Sequence, residues 1–312
     1  MKWEKKGLIF KPTNNFGWMN SHAQIPTPLL LRDRFRVYFS SRPEKNLSLT
    51  SFVDLELDNP SNIIFLNKTP ILSLGGRGLF DEHGIMPSSV IHNENEVWLY
   101  YGGWSRRESI PYSNWTGLAI SQDNGSSFKK FNNTPIFDRA FDEPYSATAV
   151  FVSKTDEGFD SWYASGQNWI EVDNHLEEYY RIRMATSSNG IHWRRQNKEI
   201  LNYKSQFEPT HRPTVIEHDS KYHMWFCYRK INDFRDGDNS YRIGYAYSFD
   251  KINWIRNDEL SGIDISTEGW DSKMIAYPYV IKYKEKLLMF YNGNGFGSSG
   301  FGYASLELNS LK

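Results

Sequence analysis

Five short stretches hold most of the residues in this chain that could do chemistry. SHAQIP carries His22 and Gln24, and FDEHGIMP carries Asp81, Glu82 and His83. FDEPYS carries Asp142, Glu143 and Tyr145, FEPTHRP carries Glu208, His211 and Arg212, and GWDSKMIAYP carries Asp271 and Lys273. Downstream of each stretch in turn come Arg42, Trp104, Trp169, Arg229 and Asn292. Asp81, Glu143, Glu208 and Asp271 are candidate general acids or bases, and His211, which titrates near neutrality, could take the acid's place. His22, His83 and His211 together make the donor set of a zinc-like ion with an open position for water, although no local spacing marks them as such. Arg42, Arg212, Arg229 and Lys273 would suit an anion, because guanidinium forks match carboxylate or phosphate. The same cations could instead pair with Asp81, Glu143 and Glu208 as a structural network.

These residues are far apart in sequence, so only a repeating architecture could gather them. TPLLLRDRFRVYFSSR (27–42) reads as strand, polar turn, strand. MPSSVIHNENEVWLYYGGW (86–104), RPTVIEHDSKYHMWFCYRK (212–230) and YPYVIKYKEKLLMFYNGN (277–294) repeat it, and the less regular SATAVFVSKTDEGFDSWYASGQNW (146–169) makes a fifth copy. Four copies open on proline, at Pro28, Pro87, Pro213 and Pro278, where a strand start needs no ladder donor. A third strand follows each pair, and three of these run into SQDNGSSF (121–128), SSNGIHW (187–193) and SFDKINW (248–254). Serine, a turn-forming Asp or Asn, often glycine and then an aromatic describe a structural turn into a fourth strand. SQDNGSSF matches the Asp-box pattern of propeller proteins. The last copy stops after its third strand, and WEKKGLIFKP near the start could pair there and cover the edge. The expected fold is all-β: a five-bladed β-propeller of four-stranded antiparallel blades, spanning 1–312 as a single domain. Such a fold turns every inner-strand loop toward one axis, and the candidate residues with it.

Composition narrows the function classes. With 36 Lys plus Arg against 37 Asp plus Glu, the chain lacks the basic excess of a nucleic-acid binder. Cys227 is the single cysteine, so no disulfide forms within the chain. No apolar run approaches ~18 residues, so no membrane span is expected. MKWEKKGLIFKP lacks the apolar stretch of a signal peptide, and a cytoplasmic location is the expectation.

The repeat grammar, with the phrases TPILSLGGRGLFDEHGIMPSSV and TPIFDRAFDEPYSATAV between inner strands, resembles the arabinanase, invertase and levansucrase superfamily. That superfamily includes glycoside hydrolase families 32, 43, 62, 68 and 117 and the family 130 mannoside phosphorylases. The resemblance implies an active site in the axial funnel, on the innermost strands and the loops before them. Family 43 enzymes carry an Asp before the first-blade proline, an Asp in the third blade and a Glu in the fourth, which work across a glycosidic bond. This sequence departs from them, with Thr27 before Pro28, Met86 before Pro87, Ser146 and Ala147 in the third copy, and His211 and Arg212 in the fourth.

Three readings follow. In the first, relocated carboxylates and His211 (a histidine acid also occurs in family 117) cleave or transfer a sugar by hydrolysis, glycosyl transfer or phosphorolysis. His22, Gln24, Arg42, His83, Trp104, Tyr145, Trp169, Arg212, Arg229, Lys273 and Asn292 would then bind substrate, with Trp104 and Trp169 stacked on sugar faces. The basic residues point to an anionic sugar, a sugar phosphate or inorganic phosphate. In the second reading, His22, His83 and His211 hold a catalytic metal; a structural calcium ion on the axis, as in some family 43 relatives, is the related possibility. In the third, the protein is a glycan-binding propeller without catalysis. Oligomeric state, sugar and linkage stay open. GNGFGSSGFG (293–302) is not a phosphate loop, because no helix follows it. DFRDGDNS (233–240) lacks the position-12 glutamate of a calcium loop and is expected to be a surface hairpin.

Overall fold

The computed structural model describes residues 1–13, 17–44, 47–235 and 237–311. After β1 (Glu4–Phe10), the strands β2 (Ser21–Leu30), β3 (Arg34–Arg42), β4 (Leu49–Glu56) and β5 (Ile63–Leu66) form an antiparallel meander. The same meander is repeated by β6 (Gly84–Asn93), β7 (Glu96–Arg106), β8 (Tyr112–Ser121) and β9 (Lys129–Lys130). It returns in β10 (Ser146–Thr155), β11 (Gly158–Val172), β12 (His175–Ser187) and β13 (Arg194–Arg195), and again in β14 (Thr210–His218), β15 (Lys221–Tyr228), β16 (Arg242–Ser248) and β17 (Trp254–Arg256). A parallel bridge between Ala147 and Trp115 joins the β6–β9 and β10–β13 meanders into one eight-stranded sheet. The chain ends with β18 (Ala276–Tyr283), β19 (Lys286–Asn292) and β20 (Phe301–Glu307), and β1 pairs antiparallel with β20 as the missing fourth strand. Among the described residues, helix is confined to turns of three or four residues, and no helix is long and apolar enough to cross a membrane.

Burial follows strand position. The second strand β3, RFRVYFSSR, is buried on both faces, whereas the outer β1 alternates exposed and half-buried residues. Sheets stacked face to face produce this difference, since only the inner and middle strands have neighbours on both sides. Aromatics fill the spaces between them. Phe35, Phe39, Phe290 and Phe301 make one core between the first and last meanders, and Phe151, Trp162, Met224 and Trp254 make another between β10–β13 and β14–β17. Full burial of such a side chain contributes about 2–3 kcal/mol.

The boxed turns are structural. In the first, Asp123 Oδ1 accepts from Ser126 N (3.0 Å) and Ser127 N (2.9 Å), while Oδ2 accepts from Ser127 Oγ (2.6 Å). Slight burial opposes ionisation there, but these bonds hold the carboxyl at about 2. Tyr38 from the preceding meander donates to Gly125 O (2.7 Å), and Tyr100 does the same to Gly190 O (3.0 Å) in the next box. Gly125, at φ +77°, has no room for a Cβ, which would stand 2.1 Å from the Tyr38 hydroxyl. The turn thus pins one meander to the next.

Each innermost strand is kinked by a bulge at the same place. Two residues oppose one where Ile25 and Pro26 face Phe39, where Arg212 and Pro213 face Phe226, and where Tyr277 and Pro278 face Tyr291. Ala149 and Val150 do the same against Tyr163, and Ser88 is the extra residue of β6. Ile25, Ala149, Arg212 and Tyr277 have left-handed φ of 51–59°. A bulge bends the strand and re-aims its side chains. The register corrects one sequence expectation: the proline of the first copy that matches Pro213 and Pro278 is Pro26, not Pro28.

Candidate functional site

The bulged inner strands and the ends of the second strands surround a cavity of about 410 Å³. Of the predicted residues, Gln24, Arg42, Trp104, His211 and Arg229 line it. Arg42 donates to Gln24 Oε1 at 3.2 Å, and Trp104 Nε1 donates to Ser48 Oγ at 2.7 Å. Arg229 donates to the Tyr241 hydroxyl (3.3 Å) and to Glu178 O (3.2 Å), with its guanidinium 3.5 Å from the centre of the Phe234 ring. Beneath them Arg212 is fully buried, bonded to Ser88 O and to Thr27 Oγ1 (2.8 Å), with its Nε unpartnered. Burial brings its guanidinium down to about 10. Among the described residues, none of Arg42, Arg212 and Arg229 forms a salt bridge.

The four predicted catalytic carboxylates are elsewhere. Asp81 accepts from the Tyr101 hydroxyl (3.0 Å) and pairs with Lys130 (2.5 Å). Glu143 accepts from Tyr163 (2.6 Å) and pairs with Arg195 (2.7 Å) and Arg183 (3.1 Å). Asp271 accepts from Tyr291 (3.0 Å) and pairs with Lys5 (2.7 Å). In all three the tyrosine follows its carboxylate by 20 residues. Glu208 is held by both terminal nitrogens of Arg256, at 2.7 and 2.9 Å. The first meander carries an apolar version, buried Met19 and Phe39, at the same separation. Asp81, Glu143 and Asp271 therefore lock a linker to the second and outer strands of their own meanders, and Glu208 locks its linker to the outer strand. This corrects the assignment of Asp81, Glu143, Glu208 and Asp271 to catalysis, because each is neutralised by a cation and none faces the cavity.

Other expectations are corrected in the same way. Among the described residues, no group of three or more His, Cys, Asp or Glu stands close enough to hold a metal ion. His22 is bonded to Ser21 Oγ (2.9 Å), and His83 accepts from Arg106 N (3.3 Å) and stacks on Trp104, so neither meets His211. The histidines do not fit a zinc-like centre, nor do the clamped carboxylates fit calcium. His211 packs against Tyr180 and Tyr277, and burial, with Arg212 and Arg229 nearby, pushes its imidazole down to about 3. It is neutral at ordinary pH and too weak a base for acid–base work, and it suits a hydrogen-bonding role. Asn292 is fully committed to backbone, donating to Ala23 O and Gly300 O and accepting from Ile25 N. Lys273 is exposed and Tyr145 half-buried, and both lie outside the cavity, while Trp169 packs edge-on against Tyr112 at 5.1 Å.

Sequence reasoning missed much of the lining. Tyr112, Asn114, Glu177, Tyr180, Tyr241, Tyr277 and Phe296 belong to it, as do Phe234 and Arg235. The last two come from the segment expected to be a surface hairpin; it leans over the cavity, latched by the Arg235–Glu177 pair, and its Asp236 lies outside the described residues. In the 293–302 segment, left-handed Gly295 and Phe296 form a turn that delivers Phe296. The available signal was strand length: β11 and β12 have 15 and 13 residues against 8 and 7 in β15 and β16, and the start of β12 supplies Glu177 and Tyr180 to the lining.

No family model matches this chain. The uncharacterized proteins Rv1502 and MT1551 of Mycobacterium tuberculosis are each 34% identical to it over 309 residues, which covers 98% of this chain and 100% of the relative. Among solved structures, a glycosyl hydrolase from Bacteroides ovatus superposes with a TM-score of 0.75 at 15% identity, covering 99% of this chain and 94% of the other. A structure from work on the GH130 family of mannoside phosphorylases, described as containing glycoside hydrolases that target β-1,2 mannosidic linkages in Candida mannan, gives 0.71 at 15% identity, covering 98% and 94%. A complex of BT0996 with RGII gives 0.74 at 17% identity, covering 97% and 90%. At such identities these neighbours establish the fold alone. The chain belongs to the family of Mycobacterium tuberculosis Rv1502, built on the propeller fold of the glycoside hydrolases.

Proposed function

We propose that this protein is a carbohydrate-active propeller of five blades in one domain, and that its axial funnel takes an anionic sugar or sugar phosphate. The observation that carries the reading is a pair of cavity guanidiniums, Arg42 and Arg229, without carboxylate partners among the described residues. The half-exposed Trp104 stands on the same wall, a flat apolar face of the kind sugars stack on. An unpaired, partly desolvated guanidinium is costly to hold, and an anion recovers that cost through charge-assisted bonds. The propeller neighbours, glycoside hydrolases and a phosphorylase-family structure, support a sugar as the rest of the ligand. A glycosidase or glycosyl-transferring activity is the first reading. A glycan-binding propeller is the second, favoured by the loss of all four loop carboxylates to structural pairs.

Titration calorimetry with glucuronate, a hexose phosphate and a neutral hexose tests the site. The expected result is binding of the anionic sugars only, weakened about tenfold or more in Arg42→Gln. Equal binding of the neutral sugar, or an unchanged Arg42→Gln, overturns the reading. Product formation from a bound glycoside separates enzyme from binding module.

A further inference from the structure

The funnel wall holds one acid that no salt bridge accounts for. Glu178 and Tyr180 are two residues apart on β12 and therefore share a face. Glu178 is 2% exposed, accepts from Ser146 Oγ (2.5 Å) through Oε1, and leaves Oε2 buried and unpartnered. Gly166 opposite has no side chain, and a Cβ there would collide with Glu178 Oε1 and Ser146 Oγ at 2.3 Å each, so the site is shaped around the carboxyl. The Tyr180 hydroxyl, on the same strand face, is hydrogen-bonded to the Tyr112 hydroxyl at 2.9 Å; both tyrosines line the cavity.

We propose that Glu178 is the proton store of the funnel, a positioning residue that exchanges its proton with a bound ligand through the hydroxyls of Tyr180 and Tyr112. The groups facing this unit are Ser146 from β10, Arg229 beyond β15, Tyr241 before β16 and His211 on β14. Arg229 is the one cation among them, and it also bonds the Glu178 backbone carbonyl. Burial outweighs Ser146, Tyr180 and Arg229 and pushes the carboxyl up to about 7. A proton passes from Glu178 to Tyr180 as Tyr180 gives its own to Tyr112 and Tyr112 gives its own to a ligand oxygen. Both tyrosines end neutral, a carboxylate remains at Glu178, and total charge is conserved. The ligand end of this path rests on the funnel's being an anionic-sugar site; the protonation of Glu178 does not.

Thermal melts from pH 4 to 8.5, without ligand, compare wild type with Glu178→Gln. A carboxyl pKa raised by folding gives stability that is full below its unfolded pKa and is lost as pH rises through the folded value. The Tm difference, variant minus wild type, should therefore climb between about pH 4.5 and 7 and then level off. A difference that stays constant with pH overturns the proposal, whatever glutamine does to absolute stability. Glucuronate calorimetry in buffers of different ionisation enthalpy should next show proton exchange on binding that is lost in both Glu178→Gln and Tyr180→Phe. Exchange unchanged in Tyr180→Phe overturns the tyrosine path. A climbing Tm difference with no glucuronate, hexose phosphate or inorganic phosphate binding upholds the proton store and removes the anionic ligand.

Discussion

Two of the settings in which charged side chains are buried, the linker clamps and the funnel, obey opposite rules. In the clamps every acid meets a base: Glu143 has two arginines and a tyrosine, and Glu208 takes both prongs of Arg256. In the funnel, among the described residues, Arg42, Arg212 and Arg229 have no acid and Glu178 has no base at bonding distance. Clamps spend charge on holding strands together. The funnel leaves charge unspent, which is the arrangement expected of groups awaiting a ligand or a proton.

The largest effect should come from opening a clamp. Glu143→Ala strands the buried Arg183 and the half-buried Arg195 and is expected to cost about 3–5 kcal/mol in denaturant unfolding. Affinity of the folded fraction for an anionic sugar should be unchanged, and loss of binding without loss of stability would return Glu143 to the catalytic list. Arg212→Met is the matching change on the axis. Removing an uncompensated buried charge is expected to leave stability within about 1 kcal/mol or raise it, even though Ser88 O and Thr27 Oγ1 lose a donor. A cost as large as that of Glu143→Ala would show Arg212 to be one more structural group and blur the distinction. Smallest of all, Lys273→Ala should alter stability and anion affinity by no more than about 0.5 kcal/mol, since its side chain is exposed. A larger fall in affinity would extend the anion site to the rim of the funnel.

The same contrast explains what could be read in the sequence. Meanders, boxed turns and the returning β1 are governed by local chemistry: turn residues, prolines and strand periodicity, all visible in a few neighbouring letters. The clamps were visible as residues but not as clamps, because the partner comes from the outer strand, 52 residues after Glu143 and 48 after Glu208. That spacing recurs in Asp81 and Lys130, so it was present as a pattern and went unused. Glu178 and Tyr180 gave no loop signal at all. They lie within the strand HLEEYYRIRMATS, where only the three-dimensional structure shows Tyr180 on the cavity wall and Glu178 buried behind it.

The union of β1 with β20 also bears on how the chain folds. Lys5 meets Asp271 across 266 residues of sequence, so the last sheet cannot close until nearly the whole chain exists. At about 5–20 residues per second of synthesis, that leaves β1 without its native partner for roughly 15–60 s on the ribosome. Contacts of such sequence separation form slowly and carry the highest entropic cost of any in the molecule. Ring closure, rather than the packing of any one sheet, is therefore the step at which a nascent chain is most exposed to pairing with a neighbour.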